Sequence, residues 1–189
     1  MTKSPMSCKR VLNRINEIVL FTVALAIGAL AIAKQNREGE SRMKIESLAF
    51  KHNEKIPSKY TCDAGDVSPP LQFSDVPKNA KSLVLIMDDP DAPMGTWDHW
   101  TVWNIDPTTR DIPEGSTPAG AVEGTQSWKQ TGYGGPCPPS GTHRYFFKLF
   151  ALDTRLNLPS SVNKAKLEAA MKGHVLDKAE LIGLYSRKK

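Results

Sequence analysis

At 189 residues, with 40% hydrophobic and 24% charged side chains, the chain has the composition of a globular domain plus an appendage, not of a disordered or fibrous protein. Its formal net charge of +5 is unevenly placed: of 25 basic and 20 acidic residues, positions 1–42 hold seven and three, which leaves 18 against 17 for the rest. The basic excess belongs to the N-terminal segment, and no basic stripe interleaved with aromatics follows it, so the composition argues against a nucleic-acid partner.

Taken in chain order, Lys3, Lys9, Arg10 and Arg14 precede sixteen residues without a charge, Ile18 to Ala33. As a helix these rise about 24 Å, slightly less than the hydrocarbon core of a bilayer. The run ends Ala31-Ile32-Ala33, a pattern that a signal peptidase can cut. It has no polar face, so residues 1–42 are predicted to be a signal peptide or an uncleaved membrane anchor with a short polar linker. The basic flank favours a cytoplasmic N-terminus, so the domain of residues 43–189 is expected in the periplasm or anchored facing it. Translation from Met43 would instead give a complete cytoplasmic domain.

From Met43 the punctuation is that of a β-rich fold. Apolar or alternating runs at 44–50, 82–87, 100–105 and 144–152 predict strands, the last because aromatic and aliphatic residues crowd it. Residues 106–141 hold six prolines and seven glycines, which excludes helix and predicts a long functional loop. Only the C-terminal part reads as helix. Ser160 or Ser161 caps a helix that Gly173 stops, a second short helical stretch covers 174–180, and LIGLYSR forms a final strand. The fold class is mostly β: a β-sandwich or β-rich α+β domain with one or two C-terminal helices. Three cysteines are too few for a disulfide scaffold. Cys62 and Cys137, both in Gly/Pro-rich loops, can pair after export and would stay reduced in a cytosol.

Three stretches carry residues suited to chemistry. In Asp89-Pro-Asp-Ala-Pro93 the prolines restrict the backbone, so Asp89 is held ready to orient a neighbouring donor. In Trp97-Asp-His-Trp100 the period of two sets His99, Thr101 and Trp103 on the face opposite to Trp100, Val102 and Asn104. In the stretch from Gly132 to Tyr145, glycines let backbone amides approach a ligand, and His143 and Tyr145 share one strand face. Such a loop beside a histidine and a tyrosine hydroxyl can cradle an anion.

The ordered combination DPDAP, HWTVWNI and GGPCPPSGTHRYFFKLFALD resembles the phosphatidylethanolamine-binding protein family, in the style of its bacterial, Raf-kinase-inhibitor-like branch. YTCDAGDVSPPL and GHVLDKAELIGLYSR extend the resemblance over residues 44–187. It implies an antiparallel β-sandwich with a pocket for phosphate-like anions or phosphorylated lipid head groups, and no cofactor. It also implies the pocket residues: Asp89, His99, His143 and Tyr145, the loop backbone at Gly135 and Cys137, and Trp97 on the wall. Met94 and Gly95 stand where eukaryotic members carry a basic residue, and Cys137 stands where they carry glycine. Some members inhibit kinases or proteases, so a protein target is a further expected partner. The sequence thus favours a non-enzymatic binding protein. The alternative is a metal-dependent hydrolase with Asp89, Asp91, His99 and His143 as ligands, or Ser140 as a nucleophile, although no G-x-S-x-G context supports the latter.

Overall fold

The computed structural model describes residues 43–187; the expected signal or anchor segment, residues 1–42, lies outside them. The elements in order are β1 (Lys44–Ser47), β2 (Glu54–Lys55), β3 (Leu71–Ser74), β4 (Ser82–Asp89), β5 (Trp97–Ile105), β6 (Asp111–Ile112), β7 (Val122–Glu123), β8 (His143–Leu152), α1 (Lys164–Met171) and β9 (Val175–Tyr185). They form a three-stranded sheet, β1-β3-β6, and a six-stranded sheet, β2-β9-β8-β4-β5-β7. Every pair is antiparallel except β2 with β9. Ile45, Leu71 and Phe73 of the small sheet pack against Leu85, Tyr145 and Phe147 of the large one, which makes the expected sandwich.

Strand β4 is buried at all eight residues, because both of its faces are covered. Leu83, Leu85 and Met87 enter the core between the sheets. Val84 and Ile86 point the other way, into a second cluster with Trp103, Leu167 and Met171 beneath α1. Each such side chain stabilises the fold by about 1.5–3 kcal/mol. The same alternation carries past the apolar residues and sends Asp88 to one face and Asp89 to the other.

Helix α1 is the only α-helix among the described residues, and its cap is Asn163, whose side chain accepts from the Lys166 amide at 3.2 Å. Ser160 and Ser161 are not used, because a turn from Pro159 to Val162 occupies them. Gly173 ends the helix with φ +84°, as expected. The second helical stretch predicted at 174–180 is instead the start of β9. It pairs with β8 from His143↔Tyr185 to Leu152↔Val175. Val-Leu-Asp-Lys-Ala-Glu is locally suited to helix, but a ten-residue neighbour with open hydrogen-bonding groups overrides that preference.

Candidate functional site

Asp89 ends β4 and is buried. Its Oδ2 accepts from His143 Nδ1 of β8 at 2.7 Å, and its Oδ1 accepts from the Asp91 amide at 2.8 Å. Asp91 turns away. Its carboxylate takes the Arg144 amide at 2.9 Å, Nε at 2.9 Å and Nη2 at 2.7 Å. The guanidinium holds the Asp91 carboxyl down at about 2. The two aspartates of DPDAP therefore divide the work: Asp91 clamps the loop to β8, and Asp89 orients the His143 ring.

His99 departs from the predicted alternation. Met87 pairs with Trp100 while Asp88 pairs with Asp98, so β5 carries one extra residue at His99. This bulge turns His99 to the side of Trp100 and the inter-sheet core, where its ring meets Tyr145 edge-on at 5.2 Å. A carbonyl oxygen only accepts, so the 2.6 Å contact to Gly134 O assigns the proton to Nδ1. The Gly134 amide in turn donates to His99 O at 3.0 Å, so the loop and the strand end are locked together. Burial lowers the affinity of His99 for a second proton, although the Gly134 carbonyl and Asp89, Asp88 and Asp98 oppose that effect.

Asp89, Trp97, His99, Cys137, His143 and Tyr145 line one cavity of about 310 Å³. Gly135 does not. Its amide donates to Asp66 Oδ1 at 2.7 Å, and a Cβ there would lie 2.6 Å from Tyr60 O. Its role is close packing between loops, which the Cys62–Cys137 disulfide and the Tyr133 hydroxyl on Tyr60 O at 2.7 Å reinforce. Sequence reasoning missed Trp128, which stacks edge-on against both Trp97 at 5.2 Å and His99 at 5.0 Å. A tryptophan in a Gly/Pro-rich loop was the available signal. Ala92, Pro93, Met94 and Pro139 complete an apolar rim.

Trp97 Nε1 is buried without a hydrogen-bond partner. The Tyr145 hydroxyl is buried beside the Asp89 carboxylate and the Cys137 backbone but makes no hydrogen bond of good geometry to either. Burial and the neighbouring Asp89 keep the Tyr145 phenol protonated far above its ordinary range. The hydroxyl is thus a standing donor. Among the described residues, no three His, Cys, Asp or Glu side chains are grouped to hold a metal ion. Of the set considered for a hydrolase, Asp91 is committed to Arg144, and His99 Nδ1 to a carbonyl. Asp88 belongs to a different site on the opposite face, where its Oδ2 takes Lys148 at 2.9 Å and Lys164 at 3.0 Å.

Residues 46–186 match the family described as phosphatidylethanolamine-binding protein. A UPF0098 protein of Pyrococcus horikoshii is 49% identical over 160 residues, covering 79% of this chain and 80% of its own. Another from Methanothermobacter thermautotrophicus is 50% identical over 150 residues, 77% of this chain and 99% of its own. The crystal structure of a Chlamydia trachomatis protein described as a phosphatidylethanolamine-binding protein homologue superposes with TM-score 0.76 at 44% identity, covering 79% of this chain and 100% of that one. E. coli YbcL, described as a member of the mammalian family, superposes with TM-score 0.74 at 32% identity, covering 78% of this chain and 100% of its own. The chain is a member of the phosphatidylethanolamine-binding protein family.

Proposed function

We propose that the protein is a binding module, not an enzyme, whose cavity takes a small phosphorylated or otherwise anionic head group. The observation that carries this reading is the convergence of Asp89, His99, His143 and Tyr145 on one cavity, where the Tyr145 hydroxyl stays protonated and has no well-formed hydrogen bond of its own. A buried polar group without a partner costs about 1–3 kcal/mol, and a ligand oxygen would recover that cost. The apolar rim of Ala92, Pro93, Met94 and Pro139 suits a ligand with a carbon substituent, such as a lipid head group. The disulfide favours an exported domain in an oxidising compartment, with residues 1–42 as leader or anchor. A regulatory protein target, kinase or protease, is supported by family analogy alone.

Isothermal titration of the full chain with phosphoethanolamine tests the reading. Saturable one-to-one binding, weakened at least tenfold in Tyr145→Phe, is expected. Absence of binding at millimolar ligand by the unmodified protein would overturn it.

A further inference from the structure

The cavity has an electrostatic character unlike that of most anion sites. None of its lining residues is lysine or arginine. Arg144, the nearest basic residue in sequence, is spent on Asp91 outside the cavity. Lys164, which reaches both Asp88 and Asp98, acts on the opposite face of the sheet. What the lining does present is acceptors. Asp89 is a carboxylate that already receives the His143 ring and the Asp91 amide, and each of its oxygens retains a lone pair. His99 gives its one ring proton to Gly134 O, which leaves Nε2 as a bare acceptor, and no hydrogen bond reaches that atom from the described residues. The side-chain donors of Tyr145 and Trp97 are neutral, the Tyr145 hydroxyl lies beside Asp89, and the His143 ring is held by Asp89 through Nδ1.

A fully ionised oxyanion is all acceptor. In this cavity it would set lone pair against lone pair at His99 Nε2 and at Asp89, with no lysine or arginine to compensate. An oxyanion that keeps one acidic proton meets the same wall differently. Its O–H donates to Nε2 or to the carboxylate, and its remaining oxygens accept from Tyr145 and Trp97. Resting on the anion-pocket reading above, we infer that this pocket selects oxyanions that carry a proton, phosphate and phosphate monoesters in their hydrogen form, over oxyanions that have none, such as sulfate. His99 is then a specificity-determining residue through its tautomer, which the Gly134 carbonyl fixes.

The charged and titratable groups around His99 are Asp89 from β4 and His143 and Tyr145 from β8, which line the cavity with it, and Asp88 and Asp98, which act at longer range from the side of Lys164. Three of these are acidic, and the burial of the ring opposes its taking a second proton from solvent. The proton is therefore supplied by the ligand. A phosphate monoester has its second ionisation near 6, so above that pH the dianion must gain a proton to bind.

The test uses inorganic phosphate and sulfate with the unmodified full chain at pH 8. There the two ions have the same charge and nearly the same shape, and differ by one proton. Titration calorimetry is expected to give phosphate a Kd at least tenfold lower than sulfate. Phosphoethanolamine, titrated in two buffers of different ionisation enthalpy, is expected to take up close to one proton per site at pH 8 and few at pH 5.5. If phosphate leads sulfate by less than tenfold and no proton is taken up, the selectivity inference is wrong while the anion pocket stands. If neither ion nor phosphoethanolamine binds, the pocket reading itself fails and the inference falls with it.

Discussion

Replacement of Tyr145 by phenylalanine separates a binding hydroxyl from a structural one by the sign of two effects. The ring of Tyr145 is fully buried in the inter-sheet core, and phenylalanine keeps that packing. The hydroxyl makes no well-formed hydrogen bond in the free protein, although Asp89 and the Cys137 backbone lie beside it, so its removal costs the fold little and relieves a desolvated group worth about 1–3 kcal/mol. Stability should therefore stay level or rise by about 1 kcal/mol, a gain of about 2–4 °C in Tm for a domain of this size. Affinity should move the other way. A hydrogen bond from a neutral hydroxyl to an anionic oxygen contributes about 1.5–3 kcal/mol, which corresponds to roughly a 10- to 150-fold weaker Kd. Urea denaturation and calorimetric titration with phosphoethanolamine read the two quantities. A variant destabilised by more than about 1 kcal/mol with unchanged affinity would refute the argument, since the hydroxyl would then serve the fold.

Other perturbations test the supporting structure. Gly135→Ala would place a Cβ 2.6 Å from Tyr60 O and 2.9 Å from Thr61 Cα, both backbone, and should destabilise by about 1–3 kcal/mol in urea melts; a loss under about 0.5 kcal/mol would show that the loops are free to separate. Reduction of Cys62–Cys137, which closes a separation of 75 residues, should cost about 4 kcal/mol by loop entropy. A Tm that ignores reductant would contradict this. His99 takes a proton less readily when folded than its ordinary value of 6.5, so it stabilises the fold fully above that pH and loses this contribution as pH falls below it. Stability measured from pH 8 to 5 should decline from about 6.5 downward, and less so in His99→Gln; equal slopes would place the cause elsewhere. Asp91 loses its contribution lower, as pH falls from 3.8 towards about 2.

Much of this structure was legible in the sequence where local pattern and tertiary demand agree. The runs around Leu83 to Met87 and Tyr145 to Leu152 read as strands because they are apolar on both faces or alternate cleanly, and the sheet uses them so. The site histidine and tyrosine on β8 obeyed the period of two. What was not legible came from partners distant in sequence. The bulge that turns His99 inward depends on its register with β4, and no property of Trp-Asp-His-Trp reveals it. Residues 174–180 favour helix until β8 is beside them. The committed Gly135 amide depends on Asp66, and the Trp128 contact on a loop that closes over β5. The strand runs at 44–50 and 100–105 were read with shifted ends, since loops rather than apolar residues set where pairing stops.

The most direct test of the pocket is histidine ring NMR of the full chain during titration with phosphoethanolamine. The four histidines supply their own control: His99 and His143 line the cavity, whereas His52 and His174 lie outside it. The account predicts saturable shifts of the His99 and His143 rings with one shared dissociation constant, and His52 and His174 unmoved. Shifts of equal size at all four rings, or none at His99 and His143, would contradict it.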